Sequence, residues 1–193
     1  MTRAFLGLAL FLCACAAKST NNQYMQGPGP GHPDLACPSS TEAAGLAPPH
    51  GLETFCQRLD IRGDAEKHGP YMRWHDEATL AMRGNYYDSH RHGPWEEYYT
   101  NGRPKLHGQY NEGEPHGPWA EYAESGQKTS EGTMENGKRV DGWTFWNELG
   151  QKLREGRYIN GEMDGQWTYY RPSGEARLQR TYRRGRLIQQ VEL

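Results

Sequence analysis

Histidines and glutamates are the residues of this chain with the most obvious chemical potential, and their spacing argues against both obvious uses. His68, His92 and His116 recur at an interval of 24, and His90-Arg91-His92 adds a local cluster, which together suggest a metal site. If that interval spans two strands of a sheet, successive imidazoles stand about 9–10 Å apart, whereas the ligands of one zinc ion lie about 2 Å from it. The ladder cannot share an ion, and turn positions are the expectation for these side chains. Glu96, Glu97 and Glu121 would suit general acid–base work, but no His, Lys or oxyanion-binding loop converges on them to tune or orient them. The chain has no G-x-S-x-G, no HExxH and no phosphate-cradling glycine loop. A non-catalytic protein with no metal and no cofactor is expected.

The binding chemistry lies instead in aromatic rings. Tyr71, Trp95, Trp119, Trp143 and Trp167 are each 24 residues apart, and Trp74, Tyr98, Tyr122, Trp146 and Tyr170 form a second column at the same interval. A third column, Tyr86, Tyr110, Met134, Tyr158 and Tyr182, is aromatic except at Met134. Such rows can stack on sugar rings or anchor a protein partner. They can equally form the core, each ring covering the next hairpin, with some rings left exposed because an open sheet cannot hide both faces.

The elements that hold these rings follow from the glycines. Gly84, Gly108, Gly132 and Gly156 keep the interval, as do Gly102, Gly126, Gly150 and Gly174, and Gly113, Gly137, Gly161 and Gly185. The runs between them suit short strands and are too short for helices. Asn101-Gly102 reads as a type I′ hairpin turn, and Asn136-Gly137 and Asn160-Gly161 read the same way at the other end of the unit. Tandem hairpins of 24 residues, five of them, then form one all-β antiparallel meander. Gly108 and Tyr110 share a face, so a ring can cover bare backbone. Trp95 and Tyr98 have opposite parity, which means either aromatics on both faces or a bulge between them.

Composition agrees with a thin, ring-filled architecture. Of 193 residues 35% are hydrophobic, yet Trp and Tyr together supply 18 and Gly 24. A formal net charge of -2 argues against nucleic acid as a partner. The charge is nevertheless polarised: Glu96 to Glu135 holds eight acidic and three basic residues, and Lys152 to Arg186 nine basic and four acidic. Arg177, Arg180, Arg183, Arg184 and Arg186 would attract anionic lipid or polymer, or would protect a final strand from edge-to-edge aggregation, with Leu187 to Leu193 adding a short strand.

The first residues form a different unit. Met1-Thr2-Arg3 precedes an uncharged apolar run, Ala4 to Ala17, that ends at Lys18, the layout of an export signal. Leu12-Cys13-Ala14-Cys15 resembles the lipobox of bacterial lipoproteins. The resemblance implies removal of 1–14, a lipid anchor on Cys15 without any spanning helix, and, because Ala16 is not Asp, the outer membrane rather than the inner. Residues 15–36, with Gly27-Pro28-Gly29-Pro30-Gly31, read as a disordered tether. Export places Cys37 and Cys56 in an oxidising compartment, where an even pair without metal-ligand spacing is expected to form a disulfide. Residues 37–66, with a turn at Ala47-Pro48-Pro49-His50-Gly51 and a strand over Leu52 to Leu59, read as a disulfide-closed cap.

From Gly69 onward the unit G-x-W-x-x-Y, then N-G, then G-x-Y-x-x-G resembles the MORN repeat, and more closely its bacterial variant form. The array is read over 67–187, with 188–193 as a tail or capping strand. Units depart at Ala78, Ser89, Met134, Asp141-Gly142-Trp143 and Arg180. The resemblance implies an elongated, twisted antiparallel sheet of hairpins, with roles in protein contact, scaffolding and lipid association. A protein-interaction scaffold is the expected function, with an unidentified protein or envelope glycan such as peptidoglycan as partner and the membrane reached through the lipid alone. Some relatives are labelled antitoxins, a role that fits poorly with an export leader.

Overall fold

A computed structural model describes residues 35–193; the leader, Cys15 and most of the tether lie outside them. The described chain is all-β, a single antiparallel sheet. Its strands are β1 (Glu42–Leu46), β2 (Glu53–Leu59), β3 (Ala65–Trp74), β4 (Leu80–Tyr87), β5 (His90–Tyr98), β6 (Pro104–Asn111), β7 (Glu114–Pro115), β8 (Gly117–Tyr122), β9 (Lys128–Glu135), β10 (Lys138–Trp146), β11 (Lys152–Ile159), β12 (Glu162–Tyr170), β13 (Ala176–Arg183) and β14 (Arg186–Glu192). Each strand pairs with its sequence neighbours, the two-residue β7 lying against β6 beside β8. With neighbours about 4.8 Å apart, the sheet extends roughly 60 Å across its strands, nearly twice the length of the longest, the ten-residue β3.

Two turn types alternate along the sheet. Glu112-Gly113, Asn136-Gly137, Asn160-Gly161 and Arg184-Gly185 all have positive φ at both positions, the I′ signature. Asn101-Gly102 corrects the expectation. Only Gly102 has positive φ, at 77°, and its N–H donates to Tyr99 O at 2.9 Å. The loop is therefore a turn closed by a left-handed glycine, with a register shift between Glu97 and Tyr98. The same closure recurs where Gly126, Gly150 and Gly174 donate to Ala123, Asn147 and Arg171.

The I′ turns also knit the sheet together, because their second residue reaches back to the preceding strand pair. Gly113 N–H donates to Arg91 O, Gly137 to Pro115 O, Gly161 to Arg139 O and Gly185 to Met163 O, all at 2.9–3.0 Å.

The core occupies one face of the sheet. Trp95 and Trp167 are fully buried, and Trp143, Trp119, Tyr71, Tyr110 and Tyr158 nearly so. A layer this thin can bury an indole only if the backbone beneath has no side chain. A Cβ on Gly84 would sit 2.1 Å from Trp95 Cε3, and on Gly132 or Gly156 it would sit 2.3 Å from the indole of Trp143 or Trp167. Arg180 departs from this column for a structural reason. It faces Gln190 on β14, and no indole follows to lie on it.

A second, smaller core closes the N-terminal end. Leu35, Cys56, Met72 and Trp74 are buried together, with Cys37 and Ala47 packed against them. Cys37 and Cys56 are joined by the expected disulfide, Cα–Cα 5.5 Å. β2 matches the expected strand, whereas β1, which pairs Ala43 with Cys56, has no signal in its Glu-Ala-Ala-Gly-Leu sequence.

Candidate functional site

The two faces of the sheet differ in what they leave to solvent. Tyr98 donates its hydroxyl to Glu96, two residues away and hence on the same face, whereas Trp95 pairs with Glu97 on the other. Both alternatives for these rings hold together: aromatics occupy both faces, and a bulge lies between Glu97 and Tyr98.

On the ring-filled face, cations lie over the aromatics. Arg91 covers Trp95 at 4.6 Å and Tyr110 at 5.2 Å, Arg139 covers Trp143 at 4.5 Å, and Arg154 covers Phe145 at 4.6 Å. These guanidiniums seal the rings from water and gain cation–π attraction while doing so. The Trp column is therefore core, closed to a ligand without displacement of its covers.

The second aromatic column divides. Trp74 is buried under the disulfide-closed segment, while Tyr98, Tyr122, Trp146 and Tyr170 are half-buried on the polar face. Each of these four stands in a charged or polar setting. Arg83 lies 6.0 Å above the Tyr98 ring and 2.5 Å from Glu96, His107 meets Tyr122 at 5.3 Å, Lys128 covers Trp146 at 6.0 Å, and Lys152 covers Tyr170 at 5.2 Å.

The electrostatics of this row are mutually supporting. Burial alone would raise the Glu96 carboxyl, but hydrogen bonds from Arg83 and Tyr98 outweigh it and hold the group below its ordinary range. Lys152 and then Tyr170 lower Glu155, and donation to Glu155 pushes the Tyr170 phenol up to about 12. The carboxylates are thus held as anions by these partners. They position the rings beside them.

Across β5, β6, β8 and β9 this face carries an open groove of about 560 Å³, lined by Pro94, Glu96, His107, Gln109, Ala120 and Glu131 among others and by none of the four rings. It is shallow and mixed in polarity, without a closed chamber.

Among the described residues, the grouping that could surround a cation includes a single histidine, His68. His68 Nδ1 is 3.1 Å from Asp88, and its ring meets Tyr87, which in turn meets His92. Glu66, His68 and Asp88 could in principle surround a cation. Arg58 already occupies that position, 2.7 Å from Glu66 and 2.6 Å from Asp88.

The basic C-terminal residues lie elsewhere than expected. Arg177, Arg180 and Arg183 are on β13, with Arg184 in the following turn and Arg186 opening β14. The edge strand is β14 itself, whose middle residues are Leu187, Ile188, Gln189, Gln190 and Val191. β14 carries charge only at its two ends, Arg186 and Glu192, so its middle lacks that protection. The short strand expected over Leu187 to Leu193 is present, and it starts at Arg186, ahead of the expected boundary at 188.

Among known proteins, residues 91–112, which cover most of the β5–β6 hairpin, match the model of a family described as MORN repeat variant. No curated protein matches the chain. Among solved structures it is similar to a chain in the crystal structure of a GtfA/B complex bound to UDP and GlcNAc, at 10% identity and a TM-score of 0.19, the match covering 81% of this chain and 28% of that chain.

Proposed function

We propose that this protein is a non-catalytic, lipid-anchored envelope scaffold that holds protein partners on the polar face of its sheet. The observation that carries the reading is the row of Tyr98, Tyr122, Trp146 and Tyr170. These rings are half-exposed, yet each is fixed by a neighbouring charge or ring. Rigid amphipathic rings give contact area at low entropic cost and are favoured anchors at protein interfaces. The match of one hairpin to the MORN repeat variant is consistent with a repeat scaffold. The Cys37–Cys56 disulfide is what export to an oxidising compartment would favour, and Cys15 is the residue proposed to carry the lipid.

A glycan-binding role would use the same rings, so the test sets the two classes side by side. Immobilised protein is offered envelope proteins and, separately, purified peptidoglycan sacculi, with Tyr122→Ala and Trp146→Ala as comparisons. The scaffold reading expects retained proteins that both substitutions release, and no retention of sacculi. Retention of sacculi alone would replace it with the glycan reading. Cleaved, lipidated protein in the membrane fraction supports the anchor on Cys15, and a full-length cytosolic product removes it and revives an antitoxin-like role.

A further inference from the structure

We infer that the β14 edge is a docking strand for an extended acidic peptide, a proposal that rests on the protein-scaffold reading and names a partner class for it. Every residue of β14 is exposed, including Leu187 at 51%, Ile188 at 57% and Val191 at 44%. The other edge is blunted. β1 has five residues, is interrupted by Gly45 at φ 75°, and runs into Pro48-Pro49. β14 has no proline and no glycine, and no charge between Arg186 and Glu192. Exposed apolar edges without such protection are templates for another strand.

The register shows which groups are free. The Leu193 N–H donates to Arg177 O at 2.8 Å, and Val191 and Gln189 stand opposite Gln179 and Thr181. Because backbone groups alternate in direction along an antiparallel strand, those of Gln190 and Glu192 point away from the sheet.

Charge selects the occupant. Among the described residues no carboxylate forms an ion pair with Arg177, Arg180, Arg183, Arg184 or Arg186. Asp164, which accepts from the Arg184 N–H at 3.5 Å, is paired with Arg157 at 2.7 Å. A second copy joined through β14 would place the arginines of both β13 strands at one seam, and it is the competing occupant that the test below scores. An acidic segment instead supplies backbone partners for Gln190 and Glu192 and carboxylates for the arginines.

The test is fluorescence anisotropy of the folded protein with a labelled peptide of about eight residues, the length of an ordinary strand, alternating Glu and Val. A counterpart alternating Lys and Val serves as comparison. Gln190→Pro removes one outward N–H and the side-chain acceptor of Arg180 Nε, 2.9 Å away, while the backbone ladder to β13 through Gln189 and Val191 is kept; Gln190→Ala, which loses only the side chain, is the control, and Arg183→Glu with Arg186→Glu reverses the charge while leaving the backbone free. The acidic peptide is expected to bind, the basic one not, and Gln190→Pro and the charge reversal each to weaken binding about tenfold or more, roughly 1.4 kcal/mol. Thermal melts confirm that the variants fold. Failure of the acidic peptide to bind, equal binding of both peptides, or undiminished binding to folded Gln190→Pro would overturn the proposal, as would a concentration-dependent dimer that Gln190→Pro dissolves. Tyr122 and Trp146 are intact in these variants, so partner retention through the rings is scored separately.

Discussion

The indole of Trp95 lies on the bare Cα of Gly84, so close that a methyl group there would fall 2.1 Å from Cε3. The same relationship joins Trp119 to Gly108, Trp143 to Gly132 and Trp167 to Gly156. It lets a single-layer sheet bury its largest side chains without a second layer.

Gly132→Ala should therefore destabilise the fold by about 2 kcal/mol or more, since neither the indole nor the backbone can yield easily. Gly102 serves as comparison, because a methyl group there would meet nothing within 4 Å. Its substitution by Ala should cost only about 1 kcal/mol, for the left-handed φ of 77°. Urea unfolding midpoints of the two variants check the difference.

Trp95→Ala should cost about 3–5 kcal/mol, as expected for emptying a fully buried aromatic site. Tyr122→Ala, on the half-exposed face, should shift the melting temperature little while releasing bound partners. Paired melts and retention assays separate a ring that builds the core from one that meets a ligand.

Asp141 stands at φ 56° in the position where Gly93, Gly117 and Gly165 also have positive φ, and Gly142 beside it does not. Asp141→Gly should therefore raise stability by roughly 0.5–1 kcal/mol, read as a higher denaturant midpoint. The slipped glycine of this unit marks a strained residue.

Much of this arrangement is legible in the sequence because the ring and glycine columns are side-chain demands that recur at one interval. The turn at Asn101-Gly102 escapes that reading for a different reason. The same dipeptide serves two turns, and what separates them is the number of residues between strand ends, five at 99–103 and two at 136–137, which composition does not mark. The burial of Trp74 is also beyond the repeat pattern, since it depends on Leu35 and Cys56 arriving from the preceding segment. The free edge is hidden because Arg177 to Arg186 suggests a protected last strand, when most of those arginines lie on β13 and in the turn, and β14 carries charge only at its ends, Arg186 and Glu192.

Stability should depend on pH at both ends of the range. Glu155 titrates below its ordinary range in the folded state, so its contribution is present above that range and lost as pH falls through the depressed value. Tyr170 behaves oppositely. Its phenol rises from 10.0 to about 12, so its contribution is full below pH 10 and lost between 10 and 12. Melting temperatures across pH should show both declines, and Tyr170→Phe should lessen the alkaline one, to which Tyr71, its phenol pushed up to about 12 by burial, also contributes.

Reducing the Cys37–Cys56 bridge, or replacing both residues by Ser, should cost about 3 kcal/mol by the chain-entropy estimate for a loop of roughly 20 residues. Because Met72 and Trp74 pack on this segment, the loss should appear as an early transition of the N-terminal end. Hydrogen exchange should then rise in β1–β3 while β8–β12 stay protected.

The most direct measurement is retention of envelope proteins by the intact protein and by Tyr122→Ala and Trp146→Ala at matched thermal stability. Specific proteins held by the first and released by both variants are the predicted result. Retention unchanged by either substitution would show that these rings are not the binding surface and would contradict the account.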